Sequence, residues 1–282
     1  MDKGGIVERA FPAQNARSTG TKAGDVMQTQ WWALKAPELR DLAKKNAVVI
    51  VPVASTEQHG PHLPTQVDCL LVGEIANRSA ARASKTIPTL VTPVVWTGLA
   101  EHHMSLGATI SLDFATFFAL LRGICRSLVR HGFRNILLLN GHGGNIAALT
   151  VAVNELAPEL EAPIATTTYW LLAQPAFSKI LEKQANVRHA CEAETSMMLA
   201  LKPDLVDMTL AAQAVGPTAP ELPDIIGTSA AHRWQSFRSR TSHGAIGDPR
   251  AATAEKGERL LQAAADAVST LITNPEFWKL PA

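Results

Sequence analysis

Glu57 and His59 stand two residues apart, and Asp68 follows Glu57 by eleven. On an extended segment, side chains two apart point to the same side. Carboxylate oxygen and imidazole nitrogen are the donors that suit zinc, manganese or iron. One carboxylate can bridge two ions, and Asp68, opening the next helical pattern, is the candidate. Pro61 and Pro64 stiffen the loop between them. His62 lies in that loop and is either another ligand or a histidine that packs the loop and orients one. A lone Glu-x-His pattern is ordinarily a solvated turn, so the argument needs further clusters.

Two more follow. In Asn140-Gly141-His142-Gly143-Gly144-Asn145 the glycines allow close backbone approach after a strand, and Asn145 suits a helix cap. His142 stands where the chain leaves the sheet and is read as a ligand. The loop has neither the Gly-x-Gly-x-x-Gly nor the Gly-Lys-Ser/Thr phosphate pattern. In His189-Ala190-Cys191-Glu192-Ala193-Glu194, both glutamates suit the first turn of a helix by complementing its dipole. His189, just outside that helix, suits general acid–base work. Glu101, His102 and His103, with Ser105 nearby, either line the same cleft or are surface groups.

These side chains need a scaffold. Residues 47–54 form a short, continuously apolar, β-branched run, as expected for a strand covered on both faces. Further strands are expected at 89–95, 135–140 and 164–170. Helical spacing covers 31–45, 67–83, 114–131, 146–156, 192–201 and 250–272, with Gly132 as a stop signal. Alternation of strand and helix predicts an α/β fold: three layers, with a mostly parallel central sheet and helices on both faces. Ligands in such sheets bind beyond the carboxyl ends of the strands, where Glu57, His59 and His142 fall. Residues 215–248 break the alternation and read as a long loop.

The chain has 282 residues, with Lys+Arg 26 against Asp+Glu 25 and a formal net charge of +1. That balance gives no electrostatic case for nucleic acid or an anionic membrane and favours small neutral or zwitterionic substrates. Cys69, Cys125 and Cys191 imply no disulfide framework and point to a reducing cytoplasm. No stretch approaches the ~18 to 20 apolar residues that span a bilayer. Residues 1–28 read as a flexible N-terminal arm and 29–282 as one domain.

Taken in order, the stretches from Ser55 to Pro64 with Asp68, from Asn140 to Asn145 and from His189 to Ser196 resemble the creatininase (creatinine amidohydrolase) family. Gly244-Ala245-Ile246-Gly247-Asp248-Pro249 is a weaker match. The resemblance implies a two-metal hydrolytic site, with zinc, manganese or iron, acting on a C–N bond, in a homo-oligomer that is often a hexamer. By it, Glu57, His59, Asp68 and His142 match metal ligands, and His189 matches the catalytic histidine. The family's creatininase carries a ligand glutamate two residues after the loop histidine, where this chain has Gly144. Glu192 is expected to fill that place. The family's substrate-holding Trp-Asp pair before the catalytic histidine is replaced by Ala185-Asn186-Val187-Arg188, so creatinine is not the expected substrate. His102, His103, Ser105, Trp170 and Gly143 are expected to line the substrate site. The leading expectation is a metal-dependent hydrolase of a small cyclic amide, formamide or similar compound. The alternatives are a peptidase-like or lactone-opening hydrolase, or a non-catalytic metal-binding oligomer.

Overall fold

Four parallel strands run in the order β2-β1-β3-β4: β1 Val48–Val53, β2 Thr89–Val91, β3 Ile136–Asn140 and β4 Ile164–Thr168. The computed structural model describes residues 27–217 and 233–279. The expected arm over residues 1–28, Met27 and Gln28 apart, lies outside the described residues, as do residues 218–232 of the expected loop.

The apolar runs behave as two-sided strands should. Val48 and Ile50 of β1, with Leu137 and Leu139 of β3, enter one core. Val49, Val51 and Val53, with Ile136 and Leu138, enter the other. The first core is completed by α2 (Val67–Ala83), α7 (Glu192–Leu201) and α8 (Ala254–Thr273). The second is completed by α1 (Ala36–Lys44), α3 (Phe114–Arg130) and α4 (Ile146–Leu160). Two short helices, α5 (Tyr169–Leu172) and α6 (Gln174–Phe177), pack on the α8 side. In α3 the buried face is Phe117, Leu121, Cys125 and Leu128, at helical spacing. Full burial of each large apolar side chain contributes about 1.5–3 kcal/mol.

Three elements differ from the sequence pattern. Residues 31–45 divide into a 3-10 turn, Trp31–Ala33, and α1, because Pro37 belongs in a first helical turn. Pairing in the second strand breaks after Val91, ahead of Pro93, whose ring removes a ladder donor, and resumes as a single bridge between Val53 and Val95. The fourth strand ends at Thr168, and Tyr169 and Trp170 open a helix instead.

Register sets up the site. Val53 pairs with Asn140, and Asn140 with Thr168, so three strands end side by side. Asn140 Nδ2 ties that edge together by donating to Thr168 Oγ1 (3.0 Å) and to the His142 carbonyl (2.8 Å). Among the described residues, no helix is long and apolar enough to cross a membrane.

Candidate metal centre

The loop after β1 delivers Glu57 and His59, and the Glu57 N–H donates to the Thr65 carbonyl at 3.0 Å to close it. The first turn of α2 supplies Asp68, the loop after β3 supplies His142, and the first turn of α7 supplies Glu194. All five side chains are buried.

Beside a trio of Glu57, His59 and His189, two trios of donor atoms converge around Asp68, each within 4.8 Å of one another: Glu57, Asp68 and His142, and His59, Asp68 and Glu194. Asp68 belongs to both. Its Oδ2 lies 3.1 Å from His142 Nδ1, and its Oδ1 lies 3.2 Å from His59 Nε2. His142 Nδ1 is also 3.0 Å from Glu57 Oε2, and His59 Nε2 is 4.0 Å from Glu194 Oε1. Each histidine has its other nitrogen engaged. His142 Nε2 donates to the Leu99 carbonyl (3.1 Å) and His59 Nδ1 to the Glu57 carbonyl (3.1 Å). These bonds fix the tautomers that aim a lone pair inward.

The donor set fits a pair of divalent cations. Glu57 Oε2, His59 Nε2 and Asp68 Oδ2 are buried and lack any hydrogen-bond partner, although buried polar atoms are nearly always paired. Among the described residues, every ion-pair partner of the three carboxylates is a histidine; no Lys or Arg offsets them. Neighbouring donors 3.0–3.2 Å apart are compatible with shared bonds of about 2.0–2.2 Å to one ion.

The electrostatics register this crowding. Burial and the carboxylates of Asp68 and Glu57 push the Glu194 carboxyl up to about 7 against the pull of His59. Burial works against a charged His59, but Asp68, Glu194 and Glu57 outweigh it and raise that ring to about 9. Asp68 is also buried, yet His59 and His142 hold it well below the usual carboxylate range.

Glu192 does not join this cluster. Its carboxylate accepts from the N–H groups of Glu182 (3.0 Å) and Lys183 (2.8 Å) and from Lys256 Nζ (2.8 Å). The position expected of Glu192 is taken by Glu194, whose Oε2 accepts from the Ala190 N–H at 2.6 Å while Oε1 faces His59. At 144, a side chain would collide with the Leu99 carbonyl and the rings of His142 and His102. A glutamate there would need the backbone to move.

His189 lies against the trios, its ring tilted against that of His59 with centroids 4.3 Å apart. Its Nε2 donates to the Gln58 carbonyl (2.8 Å), and its Nδ1 is 3.6 Å from Glu57 Oε1. Burial, reinforced by His59, holds the ring neutral, well below the ordinary histidine range. Two backbone bonds with Ile246 pin it, at 3.2 and 2.8 Å, which gives the Gly244–Pro249 stretch a structural purpose.

Gln58 was not marked by the sequence pattern. Its Nε2 donates to His103 Nδ1 (2.8 Å) and to the Gly244 carbonyl (3.0 Å). His103 therefore presents Nε2–H to Glu57 Oε1 at 3.2 Å, so it orients Glu57 rather than standing free in the substrate space. Gly244, at φ +90°, leaves no room for a Cβ beside Gln58. The signal for Gln58 was its position between Glu57 and His59, inside the segment that carries both. His62 is bonded through Nε2 to Thr195 Oγ1 (2.8 Å), a contact that ties the loop to α7.

A cavity of about 1020 Å³ opens over the trios. His102, His103, Trp170 and Gly143 line it, and Ser105 does not; its carbonyl lies 3.4 Å from Arg238 Nη1 at the exposed surface. Trp170 Nε1 is buried without a hydrogen-bond partner.

The creatininase family, described as creatinine amidohydrolase, matches residues 32–272. A creatinine amidohydrolase of Pseudomonas putida is 30% identical over 247 residues, covering 82% of this chain and 90% of that protein. A mycofactocin precursor peptide peptidase of Mycolicibacterium smegmatis is 32% identical over 225 residues, covering 78% of this chain and 82% of that protein. Among solved structures, a creatininase described with manganese has a TM-score of 0.74. A mutant creatininase of Zn-Zn type has 0.73. Each is 26% identical and covers 87% of this chain and 98% of its own.

Proposed function

The chain belongs to the creatininase family, and we propose that its two metal ions are held by Glu57, Asp68 and His142 on one side and by His59, Asp68 and Glu194 on the other. The observation that carries this reading is Asp68, whose two oxygens face two different histidines. The protein is a metal-dependent hydrolase of C–N bonds, and its substrate is read as a small cyclic amide, a formamide or a similar compound. A pair of divalent ions, zinc or manganese, supplies water activation near neutral pH and polarisation of the amide carbonyl.

The chain's own groups do the rest. His189 is neutral, with Nε2–H committed to the Gln58 carbonyl, so its Nδ1 is free to take a proton from the attacking water and pass it to the leaving nitrogen. His103 and Gln58 hold Glu57 in place. Trp170 Nε1 and Gly143 border the space where the amide lies, and the Trp170 N–H is available to a substrate oxygen.

A peptidase-like activity is the second reading. The cavity has room for a short peptide, and one relative 32% identical is a peptide peptidase. We take residues 29–282 to work as one domain, in a homo-oligomer. Exposed Trp32, Trp96, Phe114 and Leu120 offer apolar surface for such an assembly. The three cysteines are free, which fits a reducing cytoplasm.

Turnover of cyclic amides, formamides and short peptides by protein holding two ions per chain tests the reading. Hydrolysis within one of these groups is expected. Silence across the whole panel from fully loaded protein would overturn it.

A further inference from the structure

Balanced overall charge conceals an asymmetry inside the cavity. Glu57, Asp68 and Glu194 line it, and so do Arg188 and Arg240. Four arginines elsewhere are paired with carboxylates: Arg78 with Glu74 and Glu258, Arg82 with Asp266, Arg122 with Glu159 and Arg250 with Asp248. Among the described residues, neither cavity arginine has a carboxylate within ion-pair distance. Glu101 and Asp113 also line the cavity, but neither is in ion-pair contact with these arginines, and the trios commit the other three carboxylates to cations.

Arg240 is held rather than loose. Its Nε donates to Gln235 Oε1 at 3.0 Å, while Nη1 is buried with no hydrogen-bond partner. Arg240 lines the same cavity as His102 and His142, whose rings stack 5.6 Å apart. Arg188 directly precedes His189, and its backbone N–H donates to Cys191 Sγ at 3.3 Å. That bond fixes the main chain, and among the described residues the guanidinium has no hydrogen-bond or ion-pair partner. Both arginines thus line the cavity that opens over the trios.

A buried guanidinium donor without an acceptor is costly, and its planar fork is matched best by a carboxylate. We propose that Arg188 and Arg240 form an anion-binding subsite, and that the substrate is an amide carrying a carboxylate, such as an N-acyl amino acid, a short peptide with a free C-terminus or a carboxylated cyclic amide. The proposal rests on the two-metal hydrolase reading and narrows its substrate class. It also replaces the preference for neutral or zwitterionic substrates drawn from net charge, because local charge decides recognition.

The test is binding to the metal-loaded protein, read by calorimetry. The probes are hydroxamates of increasing chain length, each ending either in a carboxylate or in the matching carboxamide. The hydroxamate head reports the metal centre and the tail reports the arginines. At the best length the carboxylate is expected to bind roughly 10- to 100-fold more tightly than its carboxamide. That ratio should shrink about tenfold or more in Arg240→Gln and in Arg188→Gln, and Arg240→Lys should recover part of it. Hydroxamates that bind with no carboxylate preference at any length would overturn the subsite and leave the metal centre standing. So would a preference indifferent to both substitutions. Failure of every hydroxamate to bind would remove the metal centre and the subsite together.

Discussion

Glu192 and Glu194 open the same helix, two residues apart, both buried, and their surroundings are opposite. Around Glu192 the protein supplies full compensation: two backbone N–H groups and the Lys256 ammonium. Around Glu194 it supplies one N–H, the weak Cys191 thiol donor and a field of further carboxylates, with His59 as the only ion-pair partner among the described residues. A buried carboxylate with its charge already matched is a structural joint between α7, α8 and the 182–183 turn. One that shares its surroundings with other carboxylates is read as waiting for a cation. The difference lies in what faces each residue, since type, burial and sequence position are nearly the same.

The sharpest way to break this comparison is to neutralise each glutamate. Glu194→Gln is expected to lose one of two bound ions and to lower kcat/KM by about a thousandfold, beyond the roughly 10- to 100-fold of groups that only orient ligands. Elemental analysis beside steady-state kinetics reads this. Glu192→Gln should instead keep both ions and lose about 1–3 kcal/mol of unfolding free energy, because Lys256 loses its buried partner and keeps the exposed Glu182. Denaturant melts measure that loss, and adding Lys256→Met should return part of it, as a coupled pair requires.

Smaller effects sharpen the boundary between ligands and their supports. Gln58→Leu removes the donor that sets the His103 tautomer, so kcat/KM should drop about 10- to 100-fold while both ions stay bound. His62→Ala, which breaks only the bond to Thr195, should cost about 1 kcal/mol in a denaturant melt and change the metal count not at all. Loss of an ion from the His62 variant would move that residue into the ligand set.

Much of this arrangement was legible in the chain. Continuous apolar runs at 47–54 and 135–140 announced two-sided strands, and the polar clusters directly after them fell at the carboxyl edge of the sheet. Glu57, His59, Asp68 and His142 were all brought together there. The choice between Glu192 and Glu194 was not legible. Residues two apart on a helix differ by about 200° in direction, and the group that captures Glu192 comes from Lys256, 64 residues downstream. The same limit applies to His103, which meets Glu57 only after a 3-10 turn folds back over the loop. Arg188 and Arg240 were likewise ordinary surface residues until the fold placed them on one cavity.

The central claim is a pair of cations sharing Asp68, and metal content tests it most directly. Dialysed wild-type protein and Asp68→Ala would be loaded with zinc or manganese and analysed for metal per chain, with circular dichroism confirming that both are folded. Two ions per chain in the wild type and none retained in Asp68→Ala is the predicted result. A folded Asp68→Ala protein that still holds two ions, or a wild type that saturates at one, would contradict it.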